Sequence, residues 1–335
     1  MKKFANMEEF AAELGLSRST VSYILNGQWQ ARHISQKTAE KVLAFAEKVN
    51  FTPSLFGRAL KGKICTDAAI LIPSRMYEHH RNTFFTLLGQ LEQLNFSYLV
   101  LPLKSMDENT LTIRQLQSFK VSKVIIFAAK LDMYELRWWE KNMRAIPEIN
   151  WFFYDHRWEY GLNRESFPEN THAVGFDRTA AFRMLIAHTA AKGYQKLCYR
   201  APFYTDEKTF EIARQKNIEL LGIKCGDSLE KFADSIPGKI KNCQRTAFCF
   251  PDDLKSIQLI KLLRERGLRI PGGAGAISWD GLPVSCHFSP VLETLAIPHD
   301  RMSAAAADFL AGNGCGFVEF SPEIRPGETL PAVEE

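Results

Sequence analysis

The sequence has no long hydrophobic run. Its longest uninterrupted apolar stretch, residues 124–129, has six residues, against the roughly 20 that a membrane-spanning helix requires. The first ten residues carry Asn6, Glu8 and Glu9 where a signal peptide would need a continuous apolar segment. We therefore expect no membrane partner and a cytoplasmic location.

Paired cysteines and catalytic motifs are also missing. The seven cysteines are scattered without a C-x-x-C pair, so neither a disulfide framework nor a zinc site is indicated. The chain has no G-x-S-x-G, H-E-x-x-H or phosphate-binding loop, and the glycine-rich residues 272–275 precede a predicted strand instead of following one. The pair His79 and His80 is interpreted as part of a surface loop. These absences argue against an enzyme, a metal site and a bound cofactor.

Positive charge is concentrated near the N-terminus. Residues 1–63 contain ten Lys or Arg and five Asp or Glu, whereas the other 272 residues contain 32 and 33. This division is typical of a chain in which one small segment meets a polyanion. The 335 residues, 46% of them hydrophobic, are enough for two or three hydrophobic cores.

The basic segment predicts three short helices. Gly15 is suited to close the first, and Ser17 and Ser35 are good N-caps for the second and third. The residue before Pro53 avoids helical geometry, so the third helix should end near Phe51. Apolar residues recur at helical spacing in three stripes: Met7, Phe10, Ala11 and Leu14; Val21, Ile24 and Leu25; and Val42, Phe45, Ala46 and Val49.

Polar side chains cover the outer face of the second helix. Arg18, Ser19, Ser22 and Tyr23 lie off its apolar stripe and can contact bases and phosphates. Two helices joined by a tight turn, the second with such a face, predict a helix-turn-helix DNA-binding unit. Any small three-helix unit shows similar stripes, so the spacing alone leaves a purely structural alternative open.

The order of the residues favours the DNA-binding interpretation. The runs E-E-F-A-A-E-L-G-L-S-R-S-T-V-S-Y-I-L-N-G, I-S-Q-K-T-A-E-K-V and F-T-P-S-L-F-G-R-A-L-K-G-K closely resemble the headpiece and hinge of the lactose-repressor (LacI/GalR-type) family of bacterial transcription regulators. The resemblance implies a headpiece at 1–53, a hinge at 54–63 and an effector-binding, dimerising core at 64–335. It further implies a homodimer on a near-palindromic, double-stranded DNA operator. The DNA contacts that it implies are Arg18, Ser19, Thr20, Ser22, Tyr23, Asn26, Arg32, His33, Ser35, Arg58, Leu60 and Lys61.

Several positions depart from the family pattern. Tyr23 stands where family members usually have an arginine that reaches a base, so guanine recognition could pass to Arg18. The loop at residues 28–33 is about three residues longer than in the best-known members. It either adds phosphate contacts through Arg32 or forms a packed surface turn, and we favour the turn for Trp29. Gly57 should weaken the hinge helix by up to about 1 kcal/mol.

Leu60 is apolar within the basic hinge and matches the family's hinge leucine. The resemblance implies that it inserts into the minor groove at the operator centre, where such a wedge bends the duplex. The alternative is that Leu60 packs against Phe56 within the hinge. Because residues 54–61 are few and include Gly57, we expect this segment to be helical only on DNA.

From Ala68 onward, short β-branched or aromatic runs alternate with amphipathic stretches, which predicts an α/β fold with parallel sheets covered by helices. Ligands of such sheets bind beyond the C-terminal ends of the strands, so we expect a ligand between two lobes. The first predicted set is strand 69–73, helix 84–94, strand 98–102, helix 111–119, strand 124–128 and strand 151–154. The second is helix 179–192, strand 196–200, helix 209–221, strand 247–251, helix 254–266 and strand 274–279.

Five segments of this region resemble the family core, which is built like the periplasmic sugar-binding proteins; they are residues 174–177, 248–254, 267–271, 277–280 and 289–294. In the family the chain crosses between the lobes three times. The resemblance therefore implies a first lobe at about 66–165 and 295–315, and a second at about 170–293 and 318–333. A return to the first lobe is expected near Thr294, and a last crossing near Val318.

Candidate effector contacts are polar and aromatic residues at strand ends and beside them: Ser74, Arg75, Phe84, Asp155, Arg157, Lys208, Asp252, Trp279 and Asp280. Carboxylates accept hydrogen bonds from adjacent hydroxyls, and an aromatic face covers the apolar side of a sugar ring, so the set suits a carbohydrate. Asp252 or Asp253 could instead only cap the following helix. Lys208 and the pair Asp252–Asp253 differ from the usual family residues, so the effector is not transferable.

Two other functions are compatible with an α/β core of this kind. A carbohydrate-active enzyme could be built on the same core, but no catalytic motif supports it. A solute-binding protein would need an export signal and no DNA-binding headpiece, and both conditions fail. The sequence therefore predicts an allosteric, sugar-responsive transcription regulator acting as a repressor.

Overall fold

A computed structural model describes residues 4, 6–25, 27–49, 51, 66–76, 78–201, 204–226, 228–236, 245–250 and 252–333. The hinge at 54–63 therefore lies outside the described residues. The chain divides into two compact units: one contains the residues up to Asp67 together with Gln115–Val121, and the other contains the rest.

The headpiece contains three helices, α1 (Met7–Glu13), α2 (Arg18–Leu25) and α3 (Gln36–Val49). Gly15 adopts φ +65° between α1 and α2, a conformation that costs glycine little. Ser17 Oγ accepts a hydrogen bond from the Thr20 amide at 3.1 Å. Ser35 Oγ accepts one from the Thr38 amide at 3.2 Å. The predicted helix-turn-helix and both predicted serine caps are confirmed.

The headpiece core has an aromatic centre. Phe10 is fully buried, and its ring stacks on Phe51 with the centroids 4.1 Å apart. The Phe4 and Phe45 rings lie 5.5 and 5.4 Å from the Phe10 ring. Smaller side chains complete this core, namely Ala11, Val21, Ile24, Ala39, Val42 and Ala46.

The described residues after the headpiece form two six-stranded sheets, which confirms the α/β prediction. All neighbours in the first sheet are parallel, and its strands in spatial order are β11 (Phe317–Glu319), β5 (Thr171–Phe176), β4 (Asn150–Arg157), β3 (Lys123–Phe127), β1 (Ala68–Pro73) and β2 (Tyr98–Leu103). In the second sheet only the edge strand β12 is antiparallel. Its order is β12 (Glu323–Arg325), β10 (Glu293–Ala296), β9 (Gly275–Asp280), β8 (Thr246–Phe250), β6 (Lys196–Ala201) and β7 (Glu219–Lys224).

Helices connect most of these strands: α4 (Glu78–Gln93), α5 (Met106–Ser118), α6 (Met133–Met143), α7 (Arg178–Ala191), α8 (Glu207–Gln215), α9 (Leu229–Ser235), α10 (Asp253–Glu265), α11 (Val284–His287) and α12 (His299–Ala311). None of the helices in the described ranges combines the length and hydropathy that crossing a bilayer needs.

The boundary between the lobes was predicted incorrectly. Thr171–Phe176, expected in the second lobe, pairs with Asn150–Arg157 in the first sheet. Two single turns of 3-10 helix, Trp158–Tyr160 and Arg164–Ser166, replace a helix between these strands. Because no α-helix separates Asn150–Arg157 from Thr171–Phe176, the alternation of strands and helices in the sequence did not indicate that these two strands share a sheet.

The later crossings also differ from the expected positions by a few residues. Glu293–Ala296 is still in the second sheet, so the return to the first lobe follows Ala296 instead of Thr294. Phe317–Glu319 is still in the first sheet, so the last crossing follows Glu319.

The predicted helix at 209–221 is too long. It ends at Gln215, and Asn217 has φ +53°, a left-handed conformation that stops a helix. Glu219–Lys224 is an edge strand whose apolar side chains had continued the helical pattern. The helices Met133–Met143 and Leu229–Ser235 were not predicted.

Candidate nucleic-acid interface and interlobe site

The outer face of α2 has the predicted composition. Val21 and Ile24 are buried, whereas Arg18 and Ser19 are exposed and Ser22 and Tyr23 are half-buried. The Thr20 hydroxyl forms a hydrogen bond with Ser17 Oγ at the start of the helix, at 2.8 Å. The residues on this face are those that a major-groove helix would present to DNA.

Arg18 is ion-paired in the structure. Its Nη1 donates to Glu8 Oε1 at 2.9 Å, and both side chains are largely exposed. A surface pair of this kind contributes only about 0–1 kcal/mol. Arg18 can therefore exchange Glu8 for a base or a phosphate at little cost.

The loop after α2 is a compact turn. The Ile34 amide donates to the Trp29 carbonyl at 2.9 Å, and the half-buried Trp29 packs against the headpiece core, as the turn interpretation predicts. Arg32 and His33 are exposed, and the Arg32 guanidinium lies 4.7 Å from the centre of the Tyr23 ring. Four predicted DNA contacts lie outside the described residues, namely Asn26, Arg58, Leu60 and Lys61.

A second candidate site lies where the strand ends of the two sheets meet. We name it the interlobe cluster and define it by Asp155, Arg157, Phe176, Arg178, Tyr204 and Trp279. Asp155 and Arg157 end β4, Phe176 ends β5, and Trp279 is next to last in β9. The predicted residues Asp155, Arg157 and Trp279 are thus brought together, and Asp280 follows directly.

Asp155 is held by two cationic or potentially cationic groups. It is 2% exposed, adopts φ +61°, accepts from Arg178 Nη2 at 2.6 Å, and lies 2.9 Å from His80 Nε2. Burial alone would lower the pKa of Arg178, but the negative charges of Asp155 and Glu159 outweigh it and hold this pKa above the ordinary value. Arg178 therefore remains charged although it is buried.

The surface-loop interpretation of the histidine pair is wrong for His80, which is fully buried. Helix α4 begins at Glu78, six residues before the predicted start, because its polar first turn hides the apolar spacing. His80 then faces the first sheet, with its ring 5.5 Å from Phe127.

Aromatic rings form the other part of the interlobe cluster. The Trp279 centroid is 6.0 Å from Tyr204 and 6.1 Å from Phe176. The Arg178 guanidinium lies 4.6 Å from the Phe176 ring, and the Arg157 guanidinium lies 5.4 Å from the Tyr204 ring. Rings beside charged hydrogen-bonding groups can bind a small ligand with one apolar face and several polar substituents.

Asp280 and Asp253 lie beside this cluster, in the second lobe. Asp280 is 6% exposed and adopts φ +120°, a strained conformation for a residue with a side chain. Asp253 is fully buried and accepts from Thr294 Oγ1 at 2.7 Å, from the Leu282 amide at 2.6 Å and from Ser278 Oγ. The pKa of Asp253 is raised to about 6, because burial and the charge of Asp280 raise it by more than the hydrogen bonds from Ser278, Thr294 and the Leu282 amide lower it.

The remaining predicted effector contacts lie elsewhere or have another role. Ser74 and Arg75 are exposed after β1, Lys208 is exposed in the first turn of α8, and Phe84 packs against the main core. Asp252 Oδ1 accepts from the Lys255 amide at 3.0 Å and so caps α10, the alternative left open above. Within the described ranges, no hydrogen bond or ring contact joins these five residues to the interlobe cluster.

Sequence reasoning missed three residues of the interlobe cluster, Phe176, Arg178 and Tyr204, and two residues that contact it, His80 and Glu159. Phe176 and Arg178 follow the strand-end rule used for the others, but Thr171–Phe176 had not been predicted as a strand. His80 and Tyr204 carried no local signal, because each comes to the site through tertiary packing.

The buried Asp253 predicts a measurable pH dependence of stability. Its folded-state pKa of about 6 exceeds the ordinary 3.8, so its contribution to stability is present below about pH 4 and is lost as the pH rises through 6. The free energy of unfolding of the wild type, relative to Asp253→Asn, should fall by up to about 3 kcal/mol between pH 4 and 7.

The wild type must be compared with Asp253→Asn because the titration of His156 changes the free energy of unfolding in the opposite direction. Burial lowers the pKa of His156 to about 4, so its contribution is lost as the pH falls below about 6.5. Denaturant titrations at several pH values would measure both proteins. A difference between them that does not vary with pH would contradict the assignment to Asp253.

Comparison with known proteins gives a consistent result. Residues 6–54 match the family described as "Bacterial regulatory proteins, lacI family". A protein from Aliivibrio fischeri named HTH-type transcriptional repressor PurR is 22% identical over 323 residues, covering 91% of this chain and 90% of that protein.

Solved structures share the fold at low identity. The lac repressor dimer bound to operator and the anti-inducer ONPF aligns with a TM-score of 0.73 and 19% identity, covering 98% of this chain and 100% of that one. A LacI family regulator, CCPA from Weissella paramesenteroides with bound glucose, aligns with a TM-score of 0.61 and 12% identity, covering 79% and 98%. The helix-turn-helix headpiece thus matches the lacI family of bacterial regulatory proteins, the chain is similar over most of its length to a transcriptional repressor, and its two-lobed α/β core has the fold of the lac repressor.

Proposed function

We propose that the chain is a sequence-specific DNA-binding repressor whose operator affinity is controlled by a small molecule at the interlobe cluster. The observation that carries this proposal is the polar outer face of α2 in a headpiece that matches a regulator family. The division into headpiece 1–53, hinge 54–63 and core 64–335 is part of the proposal, with Thr171–Phe176 assigned to the first lobe. A cytoplasmic location follows from this role.

The proposed assembly is a homodimer on a near-palindromic operator. Two headpieces that read half-sites about one helical turn apart require two-fold symmetry in the protein. The lac repressor structure that shares this fold is a dimer bound to operator. The hinge is proposed to become helical on DNA, with Leu60 in the minor groove between the half-sites.

A sugar is the proposed effector. The rings of Tyr204 and Trp279 can cover an apolar ring face, while the carboxylates of Asp155 and Asp280 can accept hydroxyl hydrogen bonds. The structural relative with bound glucose supports this class of ligand. Effector binding would change operator affinity only through a difference in affinity for two lobe arrangements.

A gel-shift titration of the purified full chain against DNA from upstream of its own gene tests this proposal, with and without candidate sugars. We expect a complex that competitor DNA of unrelated sequence does not displace, and one sugar that changes its affinity. Equal affinity for all DNA sequences would overturn the proposed regulator function. A sequence-specific complex whose affinity no sugar changes would overturn only the proposal that the effector is a sugar.

Arg18 should contribute to sequence preference. If Arg18 leaves Glu8 to contact a base, Arg18→Ala should lower operator affinity by about 1–3 kcal/mol and relax the preference at one base position. Glu8→Gln is the matched control, since it breaks the same ion pair but leaves the guanidinium, and it should not lower affinity. An equal loss on all sequences in Arg18→Ala would show a phosphate contact only.

A further inference from the structure

An aromatic and a cationic side chain meet in the headpiece. Tyr23 lies on α2, and Arg32 lies in the loop between α2 and α3. The structure places the Arg32 guanidinium 4.7 Å from the centre of the Tyr23 ring. The loop thus places a guanidinium beside an aromatic ring of α2.

The loop backbone holds Arg32 in place. The Gln28 amide donates to the Tyr23 carbonyl at 2.8 Å, and the Ile34 amide donates to the Trp29 carbonyl at 2.9 Å. The Trp29 side chain packs against the headpiece core between these two anchors. An arginine on a fixed loop and stacked on a ring loses less conformational entropy when it binds than a free surface arginine does.

The charge of Arg32 is also available. No carboxylate among the described residues lies within ion-pair distance of Arg32, whereas Arg18 donates to Glu8. An arginine over an aromatic face still presents N–H donors at its edges. Those donors match the O6 and N7 acceptors of guanine in the major groove, and this pairing is the commonest specific contact of arginine with DNA.

We propose that Arg32, positioned by the Tyr23 ring, reads a guanine in each half-site of the operator. This inference rests on the proposed DNA-binding function and specifies one determinant of its sequence preference. Tyr23 acts here as the positioning residue, and its aromatic face, not its hydroxyl, is the part required.

The test is a selection of duplexes from a library with randomised half-sites, using the full-length wild type and four variants, Arg32→Ala, Arg32→Lys, Tyr23→Ala and Tyr23→Phe. We expect one guanine preference in each half-site to fall roughly 5- to 150-fold in Arg32→Ala. It should also fall in Arg32→Lys, which keeps the charge but not the fork of donors. Tyr23→Ala should weaken the same position, and Tyr23→Phe should keep it. Lys48→Ala, which removes an exposed positive charge from α3, is the control and should keep it too.

Several outcomes would overturn the inference. If Arg32→Ala binds all sequences more weakly by the same factor, Arg32 contacts phosphate only. If the variant selects the same sequence as the wild type with an unchanged guanine preference, Arg32 has no role in recognition. A Tyr23→Ala protein that keeps the guanine preference would remove the positioning role. Thermal unfolding of each variant shows whether its headpiece remains folded. If the Arg32→Ala headpiece unfolds, Arg32→Lys still tests whether the guanine preference depends on Arg32. A wild type that selects no sequence would overturn the proposed function itself, together with this inference.

Discussion

Replacing Phe10 with alanine should abolish operator binding while leaving binding of the proposed sugar effector by the core unchanged. Phe10 is fully buried, and the rings of Phe4, Phe45 and Phe51 surround it at 4.1 to 5.5 Å. A buried Phe→Ala change costs about 3–5 kcal/mol. A unit of the headpiece's size has a total stability of only a few kcal/mol, roughly 3–8 by the usual allowance per residue. The variant headpiece should therefore be largely unfolded.

Gel shifts would measure the loss of DNA binding, and titration calorimetry would measure sugar affinity on the same preparation. The matched control is Leu43→Ala, which removes an apolar side chain that is 45% exposed in the headpiece. Its effect on stability should stay within about 1 kcal/mol, with operator binding retained. Wild-type operator affinity in Phe10→Ala would mean that the ring cluster does not hold the headpiece together.

The headpiece was predictable because its determinants are local. The spacing of Phe10, Val21 and Val42 marks the three buried stripes, and Ser17 and Ser35 mark the helix starts. Each of these signals lies within a few residues of the feature that it specifies. Hydrogen bonds and burial in the structure place all five residues as expected.

The core was predictable only in its alternation of strands and helices. Apolar runs identify strands such as Lys123–Phe127, which is buried over its last four residues. They do not say which sheet receives a strand, and Thr171–Phe176 was therefore assigned to the wrong lobe. Sheet membership depends on partners that are distant in the sequence.

The interlobe cluster shows the same limit for individual side chains. Asp155, Arg157 and Trp279 were found from their positions at strand ends. Their partners were not, because Arg178 follows a strand that was not predicted, and Tyr204 is in a loop. A contact between residues 23 positions apart, such as Asp155 with Arg178, leaves no periodic trace in the sequence.

Arg178→Met should destabilise the core more than any surface substitution, because it leaves Asp155 buried without its closest cation. Arg178 Nη2 donates to Asp155 Oδ1 at 2.6 Å, and the two side chains are 5% and 2% exposed. Removing one partner of a buried pair costs about 3–5 kcal/mol. Denaturant unfolding of the full chain would measure the loss. The control is Arg183→Met on the same helix, since its partner Asp206 is 48% exposed and the loss should be no more than about 1 kcal/mol.

The double variant Asp155→Asn/Arg178→Met separates the structural role of this pair from its role toward the effector. With both charges removed, no uncompensated ion remains buried, so most of the lost stability should return. The response to the proposed sugar should nevertheless be abolished, because the site loses both polar groups that we propose to bind it. Arg178 Nη1 is buried, lies 3.9 Å from Glu159 Oε2, and has no hydrogen-bond partner among the described residues, so a ligand oxygen could satisfy it. Operator affinity without sugar should remain within a few-fold of the wild type. If both stability and the sugar response return in the double variant, Asp155 and Arg178 form a structural pair, and the effector binds through other residues.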